Sequence, residues 1–246
     1  MSYSKNYMLL CVAACLFACK QQPTALMNAS AQLTDSIGQS KRSTQKKNAA
    51  VLIPIDRNDK GFPDGLPVDM VTPAGWSIRY LVKDDETKYD ELYIECAKGS
   101  SKVVFQDLFL NVRLIPRFSA ESDTHLFLTH KCGSDCIGLT TVSKQQIPEY
   151  QTYEWVLDYD VATGQVVYKI ADDSTEDSVK LMVVNVPLGK EKRIAFDNLP
   201  AHSQKGGVDS IVFKNRKVQL FAGLIDRNDP DEEDIVKETR TVSFDR

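Results

Sequence analysis

The chain has no apolar run long enough for a helix to cross a bilayer. Its longest, Tyr7 to Ala18, falls short of the roughly 18–20 residues that such a span needs. It has no basic excess either: 30 Lys+Arg stand against 34 Asp+Glu, a formal net charge of −4. Sequence-independent binding of nucleic acid needs a basic face, so that class of partner is excluded. Histidine is scarce, with three in 246 residues. No phosphate-binding glycine loop, dinucleotide fingerprint, nucleophile elbow or His-Glu-x-x-His pair occurs, which removes the sequence support for those enzyme classes. With 12 Gly and 10 Pro the chain is not collagen-like. Helical periodicity is also missing, because no stretch of about a dozen residues keeps apolar positions at the 3.6 spacing. What remains is a composition of 42% hydrophobic and 26% charged residues, ordinary for a folded globular chain.

The N-terminus carries the sharpest signal. Lys5 precedes the apolar run, which stops at Ala18-Cys19 and gives way to Lys20-Gln21-Gln22. One positive charge, a short apolar stretch, a small residue and a polar switch are the layout of a secretory signal. Leu16-Phe17-Ala18-Cys19 resembles the lipobox of bacterial lipoprotein signal peptides: an aliphatic residue, a tolerant position, a small residue, then cysteine. Val12-Ala13-Ala14-Cys15 has the same pattern, but apolar residues continue behind it, and cleavage belongs where the run ends. The resemblance implies that residues 1–18 are a signal peptide and that Cys19 is lipidated and becomes the mature N-terminus. Each buried methylene of an acyl chain contributes about 0.8 kcal/mol, so several chains would hold the protein firmly on a membrane. The expected location is the cell envelope, on the periplasmic or surface side.

Residues 19–50 read as a flexible polar tether. Lys20, Lys41, Arg42, Lys46 and Lys47 face only Asp35 there, so the body that follows is distinctly acidic. From Val51 to Arg246 a single all-β domain is expected. Alternating apolar and polar residues recur in short runs between turn signals, as at Trp76–Val82, Glu91–Ala97, His125–Thr129 and Ile137–Val142. Leu108, Leu110, Val112 and Leu114 suggest a further strand ended by Pro116. Tyr153–Asp160 and Gln165–Ile170 read as the clearest hairpin, with Gly164 in its turn. About ten to twelve strands at hairpin spacing predict an antiparallel β-sandwich or barrel, with a small β-propeller-like array as the alternative. Ile55-Asp56-Arg57-Asn58-Asp59 recurs as Ile225-Asp226-Arg227-Asn228-Asp229, which reads as two loops of similar chemistry.

Three cysteines lie in the body. In an oxidising compartment Cys132 and Cys136, separated by Gly133-Ser134-Asp135, are the first choice for a disulfide. Cys96 then remains as a buried thiol, or else it pairs across strands with Cys132 or Cys136. A zinc site from His125, His130, Cys132 and Cys136 has poor spacing, because the two histidines fall on opposite faces of one strand. Calcium has better chemistry in the loops. Asp226, Asn228, Asp229 and Asp231 gather hard oxygens, as Asp56, Asn58 and Asp59 do less densely. The same residues also read as solvated acidic loops. Asp158 and Asp160 share a strand face with Glu154, and Trp155 and Tyr159 add aromatic surface, so these are candidates for binding a glycan or peptide.

No constellation amounts to a catalytic signature. The expectation is a membrane-anchored envelope lipoprotein whose all-β domain binds an unidentified protein or glycan ligand. The alternatives are an envelope hydrolase acting on glycans or peptides, and an accessory subunit of a surface complex that pairs through exposed strand edges.

Overall fold

The structure is a computed structural model that describes residues 51–56, 58, 65–85, 88–108, 112–170, 180–200, 207–225 and 235–244. Lys47–Arg246 forms one compact unit. Among the described residues every strand pairing is antiparallel, and the strands fall into four sheets laid down in chain order.

The first sheet holds β1 (Leu52–Pro54), β2 (Met70–Val71), β3 (Ser77–Lys83), β4 (Glu91–Lys98) and β5 (Ser101–Leu108). β4 pairs along one edge of β3, while β1 and β2 share the other, β1 opposite Leu81–Lys83 and β2 opposite Ser77–Ile78. The second sheet is a meander of β6 (Arg117–Glu121), β7 (His125–Lys131), β8 (Ile137–Ser143) and β9 (Tyr150–Tyr153). The third repeats that connectivity with β10 (Val156–Asp160), β11 (Gln165–Lys169), β12 (Lys180–Asn185) and β13 (Lys190–Ala195). In the fourth, β14 (Leu199–Pro200), β15 (Val208–Lys214) and β17 (Ile235–Ser243) all pair with β16 (Lys217–Ile225). No closed barrel forms among the described residues; the sheets pack face to face as in a sandwich.

Alternation explains how they stack. Ile78, Tyr80 and Val82 of β3 and Leu92, Ile94 and Cys96 of β4 point to one face and meet Leu126, Leu128 and Val142 of the second sheet. Phe127, between those two leucines, points the other way and packs with Leu139 and Tyr153 against Val156, Val166 and Val184 of the third sheet. The third sheet's opposite face, with Val167, Leu181 and Val183, packs on Val218, Leu220, Ala222 and Leu224 of β16. The inner strands of the second and third sheets, β7, β8, β11 and β12, are therefore covered on both faces. This is why Leu126-Phe127-Leu128 and Leu181-Met182-Val183-Val184 read as continuous apolar runs, since neither face of the pleat meets water.

Two sequence expectations shift, and two strands were not expected. Tyr153–Asp160 is not one strand: it breaks at Glu154-Trp155, where Trp155 takes φ +55° and the chain leaves the second sheet for the third. The strand expected over Leu108, Leu110, Val112 and Leu114 is not found at its described positions beyond Leu108: β5 ends at Leu108, 112–115 turn the chain from the first sheet toward the second, burying Ile115, and 109–111 lie outside the described residues. The unexpected strands are β5 and β6, neither of which alternates strictly. Val104 of β5 faces away from Val103 and Phe105, and β6 carries a bulge at Ser119.

Close approach fixes two glycines. Gly164 sits at φ +66° in the β10–β11 turn, and a Cβ there would meet the Pro187 ring at 2.5 Å. Gly138 on β8 lies directly opposite His130 on β7, and any side chain at 138 would run into the imidazole.

Candidate functional site

A cleft of about 910 Å³ opens between the first and second sheets. It is built by three short reversals: the turn before β3 with Ala74 and Trp76, the β4–β5 hairpin tip with Ser100, and the β6–β7 turn with Asp123. A volume near 900 Å³ falls in the range of ligand sites.

Its floor is an ion pair. Lys144, just after β8, places Nζ 2.6 Å from the carboxylate of Glu121 at the end of β6, and both side chains are nearly buried. The Lys144 ammonium also donates to the Ser122 carbonyl at 2.6 Å. Glu121 accepts from the Ala74 N–H at 2.7 Å and from Thr72 Oγ1 at 3.0 Å. Thr72 Oγ1 in turn accepts from the Trp76 N–H at 3.2 Å, so the carboxylate ties the turn before β3 to the second sheet. Burial pushes the Glu121 carboxyl up, but the bonds from Lys144, Ala74 and Thr72 together outweigh it and hold the group below the usual range. From the hairpin tip, Lys98 Nζ donates to the Ala74 carbonyl at 2.6 Å. The walls are thus held by charge-assisted bonds rather than left to loop mobility. His125, at the start of β7, makes a 2.9 Å contact between Nδ1 and Thr124 Oγ1, and burial, reinforced by the Lys144 charge, lowers its pKa.

The residues singled out in the sequence are dispersed elsewhere. Cys132 and Cys136 are disulfide-bonded, with Cα atoms 4.9 Å apart and the Cys132 N–H donating to the Cys136 carbonyl at 3.2 Å. Cys96 is a free, buried thiol that burial, aided by the Glu95 charge, pushes up to about 12. It behaves as a small apolar side chain. The Asp160 carboxylate accepts from the Thr163 N–H at 2.9 Å and from the Thr163 hydroxyl, and so holds the β10–β11 turn. Asp158 caps the next residue's N–H at 2.8 Å and lines a smaller cavity of about 250 Å³ with Asp209. Tyr159 is half-buried: its ring stacks on Phe127 with centroids 5.9 Å apart, and its hydroxyl lies 2.9 Å from Ser119 Oγ. Trp155 is exposed at the sheet-to-sheet crossover. The structure therefore does not gather Trp155, Asp158, Tyr159 and Asp160 at the main cleft.

The calcium candidates Asp226, Asn228, Asp229 and Asp231 lie outside the described residues, as does Cys19. In the earlier loop the Asn58 N–H bonds the Asp56 carboxylate at 2.9 Å, an Asx turn. Among the described residues no three His, Cys, Asp or Glu side chains converge as metal ligands would, and no helix is long and apolar enough to cross a membrane. Sequence reasoning missed Glu121 and Lys144, which stand 23 positions apart and meet only because the β6–β7–β8 meander folds back on itself. No local motif marks either residue.

No protein-family model, curated protein or solved structure proved similar to this chain.

Proposed function

We propose that the protein is a lipid-anchored lipoprotein of the bacterial envelope whose all-β body binds a ligand in the cleft between its first two sheets. The observation that carries this reading is the apolar run ending at Leu16-Phe17-Ala18-Cys19 ahead of a long polar, basic stretch. The Cys132–Cys136 disulfide supports export, because such bonds persist in oxidising compartments. The cleft supports binding over catalysis. Its one nearly buried carboxylate, Glu121, is already committed to an ammonium, a backbone N–H and a hydroxyl, which leaves it part of the floor and not a proton carrier.

Mass spectrometry of the mature protein from the membrane fraction tests the anchor. An N-terminal peptide that begins at acylated Cys19 is expected, and Cys19→Ser should release the protein from membranes. An unmodified N-terminus at any other position overturns the reading.

A further inference from the structure

We infer that the cleft above the Glu121–Lys144 pair binds a neutral, polyhydroxylated ligand, a segment of glycan; this rests on the binding reading just given. The argument comes from what lines the space and how those groups are already used. The charges of Lys98 and Lys144 are matched by those of Glu121 and Asp123, so the cleft carries no formal net charge toward a visitor. Lys144 is answered by Glu121 and the Ser122 carbonyl, and Lys98 reaches the Ala74 carbonyl. An anionic ligand would have to compete with these partners and would face two carboxylates. A cationic one would meet two ammonium groups. An apolar one would find only Trp76, Pro73 and Ala74 to cover it, against a mostly polar wall.

Sugar hydroxyls suit such a surface, because each donates one hydrogen bond and accepts others. The wall offers both kinds of group side by side: the remaining N–H donors of the two ammonium groups, the Asp123 carboxylate as acceptor, and the hydroxyls of Ser100 and Ser101, which do either. The strip formed by Pro73 and Ala74 can cover the C–H face of a ring. Because the ion pair and its bonds fix the floor before anything binds, little ordering is left for the ligand to impose.

Isothermal titration of the full-length protein in detergent micelles tests this with three oligosaccharide sets: neutral hexose and N-acetylhexosamine oligomers, uronic-acid oligomers, and deacetylated, amine-bearing oligomers. Saturable binding of a neutral oligomer is expected. Ser100→Trp, which fills the cleft from an exposed hairpin tip, should weaken it at least about tenfold, and Asp123→Ala several-fold; circular dichroism checks that each variant is folded. Val212→Ala, on the fourth sheet, should bind unchanged. Binding of none of the neutral oligomers, a preference for either charged set, or affinity that neither cleft variant lowers overturns the inference. The two proposals fail separately. Acylated Cys19 with no neutral-glycan binding removes only this one, and glycan binding by a protein with an unmodified N-terminus removes only the anchor.

Discussion

His125 and His130 sit on β7 five positions apart, on opposite faces of the strand. Burial lowers both, joined at His125 by the Lys144 charge. His130 lies over Gly138, and its ring nitrogens have no hydrogen-bond partner among the described residues. A group whose pKa is depressed on folding contributes stability that is present above its ordinary value, here 6.5, and lost as the pH falls through the folded value, because the unfolded chain then binds protons more readily. Urea unfolding should therefore give a lower stability at pH 5.5 than at pH 7.5, and the drop should be smaller in His130→Leu. Glu121, also depressed, acts in a separate window below its ordinary 4.5, so the comparison isolates the histidines. An equal drop in wild type and variant would show that His130 does not carry the effect. Carboxylates teach the same lesson at this scale. Asp158 and Asp160 were visible in the sequence as a row, but what each does depends on its nearest N–H or hydroxyl, and for Asp160 that is a turn.

Among the elements, the β7–β8 hairpin was legible because two short apolar, strand-forming runs flank a loop closed by two cysteines. Cys136 is buried and Cys132 half-buried, and the bond clamps a loop that encloses only three residues. The entropy removed from the unfolded chain by so short a loop corresponds to about 2 kcal/mol. Cys132→Ser/Cys136→Ser should thus lower unfolding stability by about 2 kcal/mol, with far-UV circular dichroism unchanged. Collapse of the β signal would mean that the hairpin depends on the bond rather than on its strand pairing. The Tyr153–Asp160 run shows the converse. Its composition is strand-like throughout, and only the need to pass from one sheet to the next breaks it at Trp155, a residue that disfavours positive φ. Edge protection follows the same element logic: β13, the last strand of the third sheet, presents Lys190, Glu191, Lys192 and Arg193, a charged edge that resists pairing with other chains.

For the molecule as a whole, the shared sheets matter most. The second sheet contributes Leu126 and Leu128 to one core and Phe127 to the next, and the third does likewise with Val166 and Val167. No core can be lost without exposing a face of a sheet that another core needs. Phe127→Ala is therefore expected to cost about 3–5 kcal/mol while unfolding stays a single transition, with tryptophan fluorescence and far-UV circular dichroism coincident. Two separated transitions would show that the sheets melt independently.

The all-β class, most of the strands and the cysteine loop were determined by the sequence itself, because strand alternation, turn residues and cysteine spacing are local properties read within a few positions. The order in which sheets stack, the division of each apolar run between two cores, the break at Trp155 and the meeting of Glu121 with Lys144 were decided only by tertiary structure. Each depends on contacts between segments far apart in the chain, and a one-dimensional pattern carries no record of which face of a strand finds which neighbour.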